Sequence, residues 1–432
     1  MNKDMNNFSK TDSTGVFKII ARCLLILLFS AIIGFVLLLL VYMIPTTHMK
    51  TNMEQDMTVL KKEGVYPAIN WMYSNTLDNF TETLMLGEAV YESNDTLVND
   101  AVNVYHPSGF DNPLDDLTNY IENDSAEGAS YARYWHGYLV YLKPMLCLNR
   151  YLIWRSINHV FQIILMLALT AVFIKKCSWK CAVPAWAAFL LLRPNIIRYS
   201  IVYSNVFYVT MISALLLAII YRKNSDNRRL IYFYFVIGIV TNYVDYLTYP
   251  SLSLGLNLVI CAMMSQSQNG VKNLVNTIIY SISWGIGYAG MWASKWLIGS
   301  ILTGNNVFED AFLSIAERSS AEVLGGAISR ASTILLNLRM VSEVLTPAII
   351  IGIVIALIIV CMWQWRGYTK TFLLYACNIL IIAAIPFVWY MVLSNHSYMH
   401  VYFTFRTLSV TAAALFAIVW NTNKTCSMLK KK

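Results

Sequence analysis

The sequence predicts an all-α polytopic membrane protein of about ten transmembrane helices, with both termini cytoplasmic and a large external loop domain between helices 1 and 2. Three observations predict it. Apolar residues make up 57% of the 432 and charged residues only 13%, with a mean hydropathy of +0.53, far from the averages of soluble domains. Charge-free runs long enough to cross a hydrocarbon core of roughly 30 Å recur along the chain. Between the first two runs, residues 45–133 carry fifteen acidic side chains against four basic ones, a charge of 4 − 15 = −11 in a chain whose total is +8. Basic loops are retained inside, so a large loop this poor in Lys and Arg is placed outside.

In chain order, residues 1–15 read as a polar cytoplasmic tail in which Lys3 and Lys10 hold the N-terminus inside. Helix 1 follows at 16–44, too long for the apolar core of a secretory signal. The external acidic loop domain occupies 45–152 and closes with an interfacial helix from about Tyr131 to Arg150, whose Tyr and Trp residues suit the headgroup layer. Helices 2–10 fall in 153–420, at 153–174, 181–192, 202–221, 230–249, 252–264, 274–302, 347–363, 371–393 and 401–420. An external segment at 303–346 looks amphipathic from Ala311 to Leu338. Every expected cytoplasmic connection is basic, through Lys175, Lys176 and Lys180, then Arg222, Lys223, Arg228 and Arg229, then Lys272, then Arg366 and Lys370, and finally a tail at 421–432. All eight cysteines avoid the acidic loop, so no disulfide can staple it. Cys177 and Cys181 share a short loop with no further metal ligand nearby.

A charge inside a span costs roughly 2.5–3.5 kcal/mol at the helix centre, so each one asks for a reason. Asp245, Lys295 and Arg406 all fall in the outer part of their expected helices, at the level of Arg193, Arg198, His396 and His400. Each admits a structural reading, as a snorkelling cation or as an Asp245 bridge to Lys295 or Arg406. Together, cations ringed below an acidic loop predict a pocket for an anionic, lipid-linked ligand, because Arg and Lys clamp phosphate oxygens.

Within the loop, Asp78 and Glu82 lie one helical turn apart and are the candidate catalytic carboxylates; Asp111 and Asp116 rank below them. Either could take a proton from an acceptor hydroxyl while the cations stabilise a phosphate leaving group. The competing reading is a solvated acidic surface. Arg133 and His136 stand in the aromatic run Tyr131-Ala132-Arg133-Tyr134-Trp135-His136-Gly137-Tyr138, which reads either as an aromatic belt or as rings that stack on a sugar while Arg133 or His136 meets phosphate. No phosphate-binding Gly loop, His-Glu-x-x-His or Gly-x-Ser-x-Gly pattern occurs, which disfavours ATP-driven transport and serine hydrolysis. No motif demands a cofactor, a divalent cation stays open, and no nucleic acid is expected as a partner.

An acidic first external loop followed by many spans, with basic and His residues at the outer turns, resembles the GT-C superfamily of polytopic membrane glycosyltransferases. The phrases Leu77-Asp78-Asn79-Phe80-Thr81-Glu82, Tyr131 to Tyr138, Asp245-Tyr246-Leu247-Thr248-Tyr249-Pro250, and Asn395-His396 with His400 and Arg406 are similar to those of a group of uncharacterised bacterial envelope membrane proteins. The GT-C resemblance covers the first two spans and the loop. It implies inverting hexosyl transfer at the outer face of a bacterial plasma membrane, from a polyprenyl-phosphate-linked donor to an envelope glycan or lipid-linked saccharide. An acid of the first loop would be the base. Such enzymes often carry that acid just after the first span, where this chain has Glu54 and Asp56. On this expectation Asp78, or failing it Glu82, is the base. Arg133, Lys295 and Arg406 bind the lipid phosphate, with Asp245 beside them, and His136, His396 and His400 line the acceptor side. The alternatives are a transporter or flippase of lipid-linked saccharides, a polymerase of them, or a non-catalytic assembly partner.

Overall fold

The computed structural model describes residues 13–176, 179–221, 228–265, 270–364 and 370–419. Most of both expected cytoplasmic tails, together with Cys177, Arg222, Lys223 and Arg366, lies outside the described residues. The architecture is all-α apart from two short antiparallel ladders, His106–Ser108 with Glu127–Ala129 and Glu322–Val323 with Gly326–Ala327. Helix α1 (Ser13–Tyr42) leads into the acidic segment, which holds α2 (Thr47–Glu63), α3 (Asn79–Val90), α4 (Leu97–Asn103), α5 (Pro113–Asn123) and α6 (Leu139–Leu148). Then come α7 (Tyr151–Lys176), α8 (Ala182–Leu192), α9 (Ile201–Ile220), α10 (Arg228–Val244), α11 (Ser251–Met264) and α12 (Gly270–Thr303). The chain closes with α13 (Val307–Ser319), α14 (Arg330–Val344), α15 (Pro347–Gln364), α16 (Lys370–Ala383), α17 (Ile385–Val392) and, after two short turns, α18 (Ser409–Val419).

Five helical stretches among the described residues are long and apolar enough to cross a membrane: Gly15–Tyr42, Tyr151–Lys176, Ile201–Ile220, Phe372–Val392 and Val401–Val419. A sixth arises only if Arg330–Val344 and Pro347–Ile353, bent by 97°, count as one span. Helices stand at the other expected positions, but α8 and α11 have 11 and 14 residues. At 1.5 Å per residue these rise only about 16 and 21 Å, short of a full hydrocarbon core.

Local chemistry explains the loop domain. Asn112 caps α5 through the amides of Leu114 and Asp115, Pro113 fills the first helical position, and Asp115 and Asp116 meet the positive end of the helix dipole. Asp78 caps α3 and Thr96 caps α4 in the same manner. The domain is pinned to the long helix α12, where Lys295 donates to the Val102 carbonyl at 2.6 Å and the Trp135 indole donates to the Met291 carbonyl at 2.6 Å.

The expected interfacial helix from Tyr131 is corrected by this packing, since residues 131–138 form an irregular strap and α6 starts only at Leu139. The strap cannot be helical because His136 is left-handed at φ 54°, and Gly137 is pressed so closely on Tyr243 that a Cβ would lie 2.5 Å from its carbonyl oxygen. Trp135 and Tyr138 of the strap are buried within the protein. The broadest helix pair, α10 against α12, depends on Gly238 and Gly287, where an added Cβ would come within 2.2 Å of the Trp284 and Phe235 carbonyl oxygens. Small residues at such a crossing let two backbones touch.

Candidate functional site

The residues singled out from the sequence divide into an arc across the loop-domain side and a set of buried structural groups. The arc begins at Asp78. Residues 64–77 turn back on themselves through Gly64, Asn70 and Trp71, all at positive φ, and the Leu77 amide bonds to the Pro67 carbonyl. This places Asp78 below an aromatic rim in which Tyr66 stacks on Phe80 at 6.1 Å and meets Tyr402 edge-on at 5.8 Å, while Tyr73 meets Tyr402 at 6.0 Å. Trp71, at the tip, is 98% exposed. The Asp78 carboxylate accepts from the Thr81 amide at 3.0 Å and the Thr81 hydroxyl at 2.8 Å. Burial nonetheless raises its pKa to about 6, with the Glu82 charge adding to the rise and the Thr81 bonds opposing it.

Tyr402 carries the arc onward. Its ring is within electrostatic reach of Asp78, and its hydroxyl lies 3.3 Å from His400 Nδ1. The His400 ring lies 4.8 Å from that of His396, whose Nε2 meets the Leu247 carbonyl at 2.7 Å while Nδ1 has no hydrogen-bond partner. Burial, with Arg318 adding to it, pushes His400 down to about 4. Burial, His400 and Arg318 hold His396 well below the usual imidazole value. Both rings are therefore neutral hydrogen-bonding groups at pH 7, not cations.

Arg318 was not among the sequence candidates, yet it closes the arc. It sits in the last turn of the amphipathic helix α13, bonds the Tyr134 hydroxyl and lies over the Tyr134 ring at 5.5 Å. Beside it Arg133 stacks on Tyr131 at 4.4 Å and pairs with Asp310 of the same helix at 3.0 Å. The two arginines help to line a largely apolar cavity of about 290 Å³ with Tyr134, Leu247, Trp292 and Leu393. In the sequence Arg318 reads only as a cation complementing the end of a helix whose first turn holds Glu309 and Asp310.

Four other candidates are engaged by the fold itself. Glu82 is buried and accepts from the Tyr151 and Ser200 hydroxyls and the Ile201 and Val202 amides, so it anchors the start of α9 and has no lone pair to spare for an acceptor. Asp245 accepts from the Thr248 amide and hydroxyl in the turn after α10, and the bridge expected to Lys295 or Arg406 does not form. Lys295 is committed to Val102 and lies over Trp135 at 5.8 Å. Arg406 is fully buried, donates to the carbonyls of Leu192, Tyr402 and Ser74, and covers the Tyr203 ring at 4.5 Å.

His136 is engaged in the same way. It does not line an open acceptor face but lies buried 3.2 Å from Glu88, with Tyr138 and Tyr246 completing the network. Glu88 escaped notice in the sequence, where nothing distinguishes it from its acidic neighbours. Asp116 bonds the Phe110 amide within its own loop. Among the described residues no three His, Cys, Asp or Glu side chains gather in a way that could hold a metal ion. No family model matches the chain, and neither does any curated protein or solved structure.

Proposed function

We propose that the chain is a multi-pass plasma-membrane glycosyltransferase of the GT-C kind, moving a sugar at the outer face from a polyprenyl-phosphate-linked donor to an envelope acceptor. The reading takes the N-terminus as cytoplasmic and the chain as crossing about ten times, with some helices short or tilted, on the strength of the basic connections. One observation carries it. A buried carboxylate with a pKa of about 6 and a pair of arginines beside a cavity flank a run of contacting side chains, Tyr402, His400 and His396, with Asp78 and Arg318 each acting on that run through their charge.

An acceptor hydroxyl oxygen attacks the anomeric carbon, and its proton passes to Asp78. The bond from that carbon to the phosphate oxygen breaks, and the lipid phosphate leaves with its electron pair. A base that titrates near the working pH contributes roughly 10²–10⁴-fold. Arg318 and Arg133 stabilise the charge on the departing phosphate. Tyr66 and Tyr73, both half-exposed, offer faces for a sugar ring to stack on.

The test is transfer by purified protein in liposomes holding a radiolabelled polyprenyl-phosphate sugar, with glycan composition followed in cells. Asp78→Asn is expected to lower the rate by roughly 10²–10⁴-fold, and Arg318→Ala to weaken it chiefly through KM. Wild-type transfer by both variants would remove the assignment.

A further inference from the structure

A second cavity, of about 610 Å³, lies away from the arc between α7, α9 and α10. Both α7 and α10 pack on α9 but scarcely touch each other, so α9 forms the floor of a groove and the other two its walls. Phe161, Ile212, Leu216, Val236 and Val240 line it and are exposed at its open side, while two arginines and no carboxylate complete the lining.

The neutral polar groups in the groove are already satisfied. Asn158 donates to the Arg198 carbonyl and to Ser204, Tyr208 donates to Asn158, and Asn205 donates to the Val244 carbonyl. Arg155 is neutralised by Glu63 at 2.7 Å. Arg198 differs in having no ion pair among the described residues; it bonds only the neighbouring Tyr199 hydroxyl and, like Arg155, leaves its buried Nε without a hydrogen-bond partner. Below it, the step from Asn205 to Leu216 rises about 16 Å at 1.5 Å per residue, close to the depth of one leaflet at about 15 Å.

The geometry points to a bilayer phospholipid with an anionic phosphate head as the resident of this groove, its phosphate on Arg198 and one acyl chain along α9. The groove is apolar where a chain would run, and its single unneutralised charge stands where a head would sit. The inference does not rest on the transferase reading, since the groove includes no residue assigned to catalysis.

The experiment places the full chain in phosphatidylcholine nanodiscs doped with either phosphatidic acid or phosphatidylcholine carrying a diazirine in one chain, and maps photolabelled peptides by mass spectrometry. Phosphatidic acid is expected to label Val209–Leu216 and Val236–Val240 several-fold more than phosphatidylcholine, whereas Leu24, Leu28 and Phe29, exposed on α1, take both equally. Arg198→Gln should erase the preference, and Val240→Trp should remove groove labelling by either lipid. Equal labelling of the groove by the two lipids, or a preference unchanged in Arg198→Gln, overturns the proposal. Transfer activity is not read, so failure here and failure of the transferase reading are distinct.

Discussion

Replacing Asp78 by Asn is expected to stabilise the protein while it silences transfer. Asn caps a helix about as well as Asp, so the bond from the Thr81 amide survives. What disappears is a carboxylate that burial holds at about 6 against an ordinary 3.8. A folded-state pKa above the unfolded one means that the native chain binds the proton more tightly. Stability therefore falls as pH rises from about 4 to about 6 and stays lowered above that. At about 1.36 kcal/mol per pKa unit, the ionised carboxylate costs the fold about 3 kcal/mol at pH 7. The Asn variant escapes that cost, so its unfolding midpoint should exceed that of the wild type at pH 7 and converge with it near pH 4. Tryptophan fluorescence during thermal unfolding in detergent micelles, from pH 4 to 8, measures the gap. A variant that melts at or below the wild type at pH 7, or a gap that does not shrink on acidification, would refute the burial argument. A well-folded variant with undiminished transfer would instead dismiss Asp78 as the base.

The same chemical change one turn later should have the opposite sign. In Glu82→Gln the new amide nitrogen must face either the Tyr151 hydroxyl and Ile201 amide or the Ser200 hydroxyl and Val202 amide, donors against donors, and a loss of about 3 kcal/mol or more is expected in the same melts. The rate of transfer should rise with pH through a single ionisation near 6 and keep that profile in His400→Gln, because His400 stays neutral down to about 4; a midpoint displaced in that variant would mean that the imidazole is the titrating group. Gly238→Ala is expected to cost about 1–3 kcal/mol by forcing α10 off α12, since its Cβ would meet the Trp284 carbonyl oxygen at 2.2 Å. Gly290→Ala meets the far end of the Leu27 side chain at 2.9 Å and should melt closer to the wild type.

The contrast between Asp78 and Glu82 shows where sequence reasoning reaches its end. Both acids belong to one acidic helix start, and their spacing places them on one face. Whether a carboxylate is consumed depends on what the rest of the chain sets against it. Glu82 meets the amide-rich start of α9, whereas Asp78 meets aromatic rings and its own Thr81. Arg406 and Lys295 stood out because a charge among apolar residues is costly, but the same cost is met by backbone carbonyls from Leu192, Ser74 and Val102 that no local pattern reveals.

The sequence by itself determined that the chain is helical and largely apolar, where most of its apolar helices begin and end to within a few residues, and that an acidic segment follows the first of them. Those are properties of neighbours along the chain: hydropathic runs and the charges between them. Only the tertiary structure decided which charges remain available. Arg318 reaches Tyr134 across 184 residues, and the Arg198 groove exists because α7 and α10 splay apart on α9. Partnership in space sets the free energy of a buried charge, and a linear sequence specifies that partnership only by folding.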